Sequence, residues 1–305
     1  MFAAVLSAFL FAASATFSQR AARIFGSLEA NFFRLCGACT ILGLVTWQFL
    51  PRSVHPDVFW WFFLSGAVGF GIGDVALFLA YPRLGSRLAL LIHFCGSTIM
   101  GALGDYALMR KSVGGLEALA AGIILTGLAL TMLAKRSGTR HGSRFAGVCF
   151  ALVSAVGMGM GTALSHFAIE KTQALNLTSH GISQAWQRST AGVLIAGLVL
   201  LLVRFAVRNA LPENRPRLEK PRSGCLAAFW MTGTMILGPV LGVSCYQWAI
   251  METGSSAIVC AVAATSTLII MPLARWLEKD RPSQQQIMGT LLAVAGVAWL
   301  CWLRK

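Results

Sequence analysis

The sequence has few charged residues and very few acidic ones. Charged residues make up 12% of the chain, against roughly 25% in soluble domains, and 25 basic residues face 11 acidic ones. No phosphate-binding GK[ST] loop is present, and no second CxxC pair accompanies Cys36 and Cys39. These absences argue against a nucleotide-hydrolysing domain and a cysteine-rich metal site in this chain. With 56% hydrophobic residues, a soluble domain could not keep so much apolar surface out of water.

The hydrophobic residues fall into ten runs, each close to the ~20 residues that cross a bilayer as a helix. The predicted spans are approximately 2–18, 30–50, 58–80, 86–109, 113–134, 145–168, 179–203, 224–250, 255–277 and 284–303. The first run is typical of either a signal peptide or a membrane helix, and the helix is favoured because no Lys or Arg precedes it. The one long polar connection, 204–223, is interpreted as a loop rather than a domain.

The two halves of the sequence share a pattern of small and polar residues. At a separation of 169 positions, matched residues are Gly69 and Gly238, Gly73 and Gly242, Ala80 and Ala249, Gly85 and Gly254, Ser86 and Ser255, Ser97 and Ser266, Thr98 and Thr267, and Gly127 and Gly296. Smaller separations match Arg34 with Arg188, Ser18 with Ser165, and Gln19 with His166. We therefore predict two repeats, covering 1–135 and 144–305.

Five helices in each half determine how the repeats insert. Because an odd number of crossings ends on the opposite face of the membrane, the second repeat must be inverted relative to the first. The predicted fold class is an all-α integral membrane protein of ten transmembrane helices, arranged as two inverted five-helix repeats. Secondary transporters are often built this way, with the binding site near the midplane between the repeats.

The end of the chain also resembles a known family. A mid-helix proline, an acidic–basic–proline turn and a Q-x-x-G-x6-G run are formed by Pro272, Glu278, Arg281, Pro282, Gln286, Gly289 and Gly296. This pattern resembles the end of an EamA domain of the drug/metabolite transporter superfamily, although Leu277 stands where the family usually has glycine. The resemblance implies that the whole chain is a transporter, most readily an exporter of an amino acid or similar metabolite. It also implies that Arg34 matches the arginine that opens the family's second helix.

Two lines of reasoning disagree on orientation. Most of the 25 basic residues fall in predicted loops on the face opposite the termini, so the positive-inside rule predicts both termini outside. The family resemblance implies that both termini lie in the cytoplasm. We expect the charge bias to decide, since an inverted repeat can insert either way.

Two acidic residues, Asp74 and Asp105, fall well inside predicted spans. A carboxylate at the bilayer centre costs about 3 kcal/mol, so each needs a hydrated cavity, a partner or a proton. The fourth predicted helix carries one polar stripe at four-residue spacing, formed by His93, Ser97, Gly101 and Asp105. The stripe is expected to face the space between the repeats. The alternatives are an ion pair of Asp105 with Arg110 and a structural hydrogen bond for His93.

The second half offers amide, hydroxyl and aromatic groups that suit an organic molecule better than a bare ion. These candidates are His166, Trp186, Tyr246, Gln247, Ser266 and Thr267. Arg34 and Arg188 have two interpretations. They neutralise an anionic group, or they snorkel to the lipid headgroups, and snorkelling is the favoured interpretation.

We predict a carrier that works by alternating access on a small organic solute, driven by a gradient and without a cofactor or metal. If protons drive it, Asp74 is the first candidate proton carrier and Asp105 the second. The expected setting is a bacterial cytoplasmic membrane, with the lipid bilayer as partner and no nucleic acid. One chain suffices for a pathway, although a dimer is compatible. The alternatives are a carrier of sugar phosphates or nucleotide sugars that uses both arginines, and a membrane-embedded enzyme, which the lack of an HxxxD or DxxD cluster disfavours.

Overall fold

The computed structural model describes residues 2–110, 114–133, 143–208, 223–277 and 282–303. Within these ranges the chain is helical and contains no β-strand. Ten helices are long and apolar enough to cross a membrane, as predicted. They are α1 (Phe2–Phe25), α2 (Ser27–Phe49), α3 (Pro56–Leu84), α4 (Ser86–Met109), α5 (Gly115–Leu133), α6 (Arg144–Ala174), α7 (Gly181–Ala206), α8 (Gly224–Thr253), α9 (Ser256–Leu277) and α10 (Gln284–Leu303).

Single glycines make the tightest links between helices. Gly26 separates α1 from α2, and Gly85 separates α3 from α4, with φ angles of 95° and 84°. Gly254 opens the link from α8 to α9 with φ of 58°. Residues with a Cβ rarely adopt these angles, so glycine lets the chain reverse within one or two residues. Gly85 and Gly254 are a matched pair, so both repeats reverse at the same point.

Two helices contain a π-helical segment at matched positions. In α3 it covers Ala67–Asp74, and in α8 it covers Ile236–Gly242. The two segments begin 169 positions apart, which is the separation of the repeat. Segments of this kind disturb the regular hydrogen-bond ladder and occur frequently at functional sites. The sequence analysis did not predict them.

The packing of α4 against α6 establishes the inverted arrangement. His93 contacts Ser154 near the start of both helices, and Asp105 contacts His166 near their ends, each pair being 61 positions apart. The two helices therefore run parallel. Because α1 and α4 run in opposite directions, the first helix of the second repeat is inverted relative to the first helix of the first repeat.

Reciprocal contacts across the repeats support the same pseudo-two-fold symmetry. The hydroxyl of Ser65 lies 2.8 Å from that of Ser165. Their matched residues, Thr234 and Ser18, are hydrogen-bonded to each other in the same way. Each pair joins the third helix of one repeat to the first helix of the other. The repeats thus exchange equivalent hydrogen bonds across their interface.

Alanine and glycine allow these helices to approach closely. A Cβ added at Gly157 would lie 2.7 Å from the Cα of Gly73, and one at Gly127 would lie 2.4 Å from the backbone nitrogen of Ala293. Close backbone contact replaces the hydrophobic effect as the packing force when lipid is the solvent. Large apolar side chains instead cover the outer surface, for example Trp47, which is 84% exposed.

Several helices extend beyond the predicted apolar runs. The helix α1 continues to Phe25 instead of ending at residue 18, because its polar end is satisfied by neighbouring helices. Gln19 accepts a hydrogen bond from the backbone of Ser86, and Arg20 donates to the carbonyl of Leu277 at 2.6 Å.

The predicted turn residues Glu278 and Arg281 lie outside the described residues, as does most of the predicted 204–223 loop.

The cysteines form no disulfide bonds. All eight are free thiols, and Cys95 and Cys260 are buried within the helical core. This agrees with the membrane-helix positions that the sequence assigns to most of them.

Candidate functional site

A cavity lies between the two repeats. Helices α1, α2, α3 and α4 of the first repeat and α6 and α8 of the second supply its walls. The lining residues are Phe11, Ser14, Ala15, Ser18, Arg34, Phe70, Asp74, Leu77, Tyr81, Leu90, His93, Phe94, Met158, Gly238, Pro239 and Val243. Both π-helical segments contribute to it.

The cavity lies on the pseudo-two-fold axis that relates the repeats. Both members of three matched pairs line it: Phe11 and Met158, Phe70 and Pro239, and Asp74 and Val243. A site on such an axis contacts equivalent elements of both repeats. It is therefore the place where relative movement of the repeats changes access to a bound molecule.

The cavity is displaced toward one face of the membrane. Tyr81 lies in the last turn of α3, and Leu90 lies in the second turn of α4. These ends share the face where α1 joins α2, which we call the α1–α2 face. The opposite face, where α1 begins and α4 and α6 end, is the N-terminal face. Open space therefore extends from mid-depth toward the α1–α2 face.

Arg34 and Asp74 form a buried ion pair in the cavity wall. The Nη2 atom of Arg34 donates to Oδ2 of Asp74 and also to Oδ1 of Asn31, at 3.1 Å for the latter. The Phe78 ring lies 4.8 Å from the guanidinium carbon. The Nε atom of Arg34 is buried without a hydrogen-bond partner. A positive and a negative group are thus held side by side, with one donor still unsatisfied.

Arg188 occupies the position equivalent to Arg34 but has different partners. It is fully buried, and its Nη1 donates to Oε1 of Gln247 at 2.7 Å. The Phe70 ring lies 4.9 Å from its guanidinium carbon, and its Nε and Nη2 atoms have no hydrogen-bond partner. The difference arises because Val243 stands in α8 at the position that matches Asp74, so α8 places no carboxylate there.

The snorkelling interpretation of both arginines is wrong. Arg34 is 7% exposed and Arg188 is 0% exposed. Both side chains are directed at the helices of the protein, toward Asp74 and Gln247, and not toward headgroups. A charged group held this way inside a membrane protein marks a pathway or a specific pair.

His93 also lines the cavity, from α4. Its Nδ1 lies 2.7 Å from the hydroxyl of Ser154 on α6, and its ring packs edge-on against Phe94 at 4.6 Å. The same side chain therefore has a hydrogen-bond partner and contributes to the cavity wall.

Asp105 lies away from the cavity, toward the N-terminal face. Its Oδ1 is 3.1 Å from Nδ1 of His166, and Nε2 of His166 is 3.5 Å from a carboxylate oxygen of Glu170. The alternative interpretation was an ion pair of Asp105 with Arg110. The structure instead places Asp105 in contact with His166 of the second repeat. Two candidates from different halves of the sequence, Asp105 and His166, are thereby brought together.

The remaining candidates do not line the cavity; Ser97, Ser266 and Thr267 are buried, and Trp186 is partly buried. Ser97 and Thr267 donate to carbonyls of their own helices, and the Ser266 hydroxyl is buried without a hydrogen-bond partner. The indole of Trp186 packs against Gly43. These contacts are those of helix packing.

Tyr246 and Gln247 lie one layer behind the cavity. The Tyr246 hydroxyl is 3.0 Å from that of Thr162 and 2.9 Å from the sulfur of Cys260, and its ring packs against Phe11. Gln247 donates to Ser165 at 3.0 Å while accepting from Arg188. Both residues therefore support groups on or near the wall.

Most of the apolar wall and the hydroxyl groups beside it were not predicted from the sequence. The missed residues include Phe11, Ser14, Ser18, Phe70, Tyr81, Phe94, Met158 and Pro239. A usable signal was present, because glycine- and proline-interrupted segments at matching positions of two repeats point to a transporter binding site. Gly69 and Gly73 match Gly238 and Gly242, but the sequence interpretation used them only as evidence for the repeat.

Comparisons with known proteins agree with this architecture. Residues 1–133 and 145–302 match the model of the EamA-like transporter family. No curated protein matches the sequence. Among solved structures, one titled "Crystal structure of protein" superposes with a TM-score of 0.63, covering 99% of this chain and 96% of that chain at 16% identity. That likeness establishes a shared fold alone.

Proposed function

The chain belongs to the EamA-like transporter family, and on that premise we propose that it is a secondary-active exporter of a small amino-acid-like zwitterion. As a transporter of the drug/metabolite type, it crosses the membrane many times. We propose further that it works by alternating access in a bacterial cytoplasmic membrane. A single chain supplies all the described walls of the cavity, so a monomer is sufficient.

The Arg34–Asp74 pair is the observation that carries the proposal. A zwitterion presents a carboxylate and an ammonium group a few ångströms apart, and the cavity presents a guanidinium and a carboxylate side by side. The substrate carboxylate would accept from Arg34, whose Nε lacks a partner, and its ammonium would donate to Asp74. In the empty carrier the two side chains satisfy each other, which avoids an isolated buried charge.

The rest of the cavity suits an apolar substituent. Phe11, Phe70, Phe94 and Met158 are among the apolar residues that line it. Small-molecule sites are commonly lined by apolar and aromatic side chains with a few polar groups that fix orientation. A metabolite with one charged end and an aliphatic or aromatic side chain fits this chemistry.

The direction of transport is inferred from the position of the cavity. It extends toward the α1–α2 face, which carries Arg20, Arg23 and Arg83. The positive-inside rule makes that face cytoplasmic. A cavity that extends toward the cytoplasm favours loading of substrate from that side, and therefore export. The opposite orientation, implied by the family resemblance, would make the same cavity face outward.

A ligand screen by thermal shift on purified protein tests the substrate class. We expect stabilisation by amino acids with an apolar side chain, and little by the matching amine or carboxylic acid alone, because each lacks one of the two charged groups. Ligands that stabilise should also drive counterflow in reconstituted vesicles. Equal stabilisation by the amine and by the amino acid would contradict the zwitterion proposal.

A carrier of anionic substrates, such as sugar phosphates or nucleotide sugars, is the second candidate. It is favoured by one observation: Arg34 and Arg188 are both buried, both have unsatisfied donors, and a single carboxylate, Asp74, is paired with one of them. An anionic group entering between them would satisfy those donors.

Replacing Arg188 with glutamine separates the two candidates. If the substrate is a zwitterion held by Arg34 and Asp74, its affinity should change by less than about threefold, which is under 1 kcal/mol. An anion carrier should lose binding outright, since one of its two counter-charges is gone. Isothermal titration with the best ligand from the screen measures this difference.

A further inference from the structure

We propose that Asp105, His166 and Glu170 form a proton-binding latch on the N-terminal face, separate from the substrate cavity. The latch would hold α4 against α6 and would close that face when His166 is protonated. Its role in gating rests on the proposed transport function. Its ability to bind a proton and to tighten the contact between α4 and α6 does not depend on the proposed transport function.

The latch lies at one end of a continuous seam between the repeats. On α6, Ser154 contacts His93 and His166 contacts Asp105, and between these two contacts Gly159 and Ala163 pack closely against Ser97 and Gly104 of α4. Met158 lines the cavity at mid-depth. The seam therefore leads from the cavity to the N-terminal face, and its opening would expose the cavity on that side.

The three side chains extend from the solvent-exposed surface into the buried interior of the protein. The side chain of Glu170 is 42% exposed, while those of His166 and Asp105 are 1% and 0% exposed. The imidazole lies between the two carboxylates, with Nε2 near Glu170 and Nδ1 near Asp105. Histidine can accept a proton at one ring nitrogen while the other keeps its hydrogen bond. Asp/Glu/His chains of this kind serve as proton relays in membrane proteins.

Protonation changes the strength of the contact. When His166 is neutral, Nδ1–H donates a hydrogen bond to the Asp105 carboxylate in which only the acceptor is charged. When a proton from water on the N-terminal face binds at Nε2, the attraction between imidazolium and carboxylate is added to the same hydrogen bond. Because the two residues belong to different repeats, the added attraction draws the repeats together on that face. Loss of the proton to the same water weakens the seam.

Neighbouring helices also present titratable groups to the latch. Cys260 of α9 lies within electrostatic range of Asp105 and contacts the Tyr246 hydroxyl of α8. Lys171 follows Glu170 on α6, but its ammonium lies over the Trp61 ring of α3 at 5.2 Å. The test must therefore distinguish His166 from other groups.

Hydrogen exchange measured by mass spectrometry at pH 5.5 and 7.5, corrected for intrinsic exchange, tests the latch without any substrate. For the wild type we expect about tenfold slower exchange at pH 5.5 in the last two turns of α4 and α6, because protonated His166 and the Asp105 carboxylate attract each other as opposite charges. In His166→Asn and Asp105→Asn the difference should fall below about twofold, because neither variant can form an ion pair between these two positions. His180→Asn, which removes an exposed histidine on the same face, should behave like the wild type.

Each outcome of the exchange experiment either supports or contradicts the latch. A wild type without the pH response, a His166→Asn variant that keeps it, or a His180→Asn variant that loses it would each overturn the latch. If a single variant does not fold, the double variant Asp105→Asn/His166→Gln, which removes the charge from both partners, replaces it. Counterflow of the proposed substrate, measured on the same proteins, fails in the wild type if the transport proposal is wrong, whereas the exchange result is independent of it.

Discussion

Replacing Asp74 with asparagine is expected to abolish substrate counterflow in reconstituted vesicles. The substitution removes the carboxylate that would accept the substrate ammonium, while keeping the size of the side chain. Truncating one partner of a buried, hydrogen-bonded charge pair costs at least about 2 kcal/mol, or roughly 30-fold in affinity. It also leaves the Arg34 guanidinium without its carboxylate. Counterflow of a labelled ligand from the thermal-shift screen is the measurement.

Two further variants keep this result interpretable. Asp57→Asn neutralises an exposed acid in the first turn of α3 and should transport normally. The double variant Arg34→Gln/Asp74→Asn removes both charges, so it avoids the destabilisation of about 3–5 kcal/mol expected when one buried partner remains. It should fold with near-native thermal stability and still fail to bind. Normal counterflow by Asp74→Asn would remove the Arg34–Asp74 pair from the substrate site.

Replacing Gly238 with valine is expected to block transport by filling the cavity. A Cβ at this position would lie 2.7 Å from the Ser14 hydroxyl and 3.1 Å from Nη1 of Arg34. The two methyl groups beyond it would occupy space between the repeats next to the ion pair. We expect loss of ligand stabilisation and of counterflow, because the substrate and the new side chain compete for the same volume.

Gly122→Val is the matched control for this substitution. Gly122 lies within α5, and a Cβ there would meet nothing within 4 Å. Both variants add the same side chain to a membrane helix, so a difference between them reports the location and not the loss of glycine. Ligand binding retained by Gly238→Val at wild-type affinity would mean that the substrate site lies elsewhere in the chain.

The sequence predicted the candidate site residues, but not which of them contact one another. Asp74 was recognised because a carboxylate in an apolar run needs a partner, and its partner Arg34 was recognised as a repeat-matched arginine. Nothing in the spacing of these residues joins them, since they are 40 positions apart on different helices. The polar stripe on α4 was correctly expected to face inward. Its division into a cavity residue, His93, and a distant contact, Asp105, follows only from the position of α6.

The missed residues have a different cause. Phe11, Phe70 and Phe94 are among the 19 phenylalanines of the chain, and most apolar side chains in a membrane protein face lipid or other helices. Neither the residue type nor the spacing of these phenylalanines indicates that they line a cavity. Only the matched glycines of α3 and α8, together with Pro239 in α8, marked the region. They indicated a position along the helices without indicating which side chains turn toward the axis.

The amino-acid sequence alone determined that this chain crosses the membrane ten times and that its halves are related copies. Both properties depend on local composition, because lipid requires each apolar run to satisfy its own backbone hydrogen bonds as a helix. The tertiary structure decided which polar groups meet. Arg34 pairs with a carboxylate and Arg188 with an amide because Asp74 in α3 is replaced by Val243 in α8. The consequence of that single difference depends on how helices distant in the sequence are rotated and packed against one another.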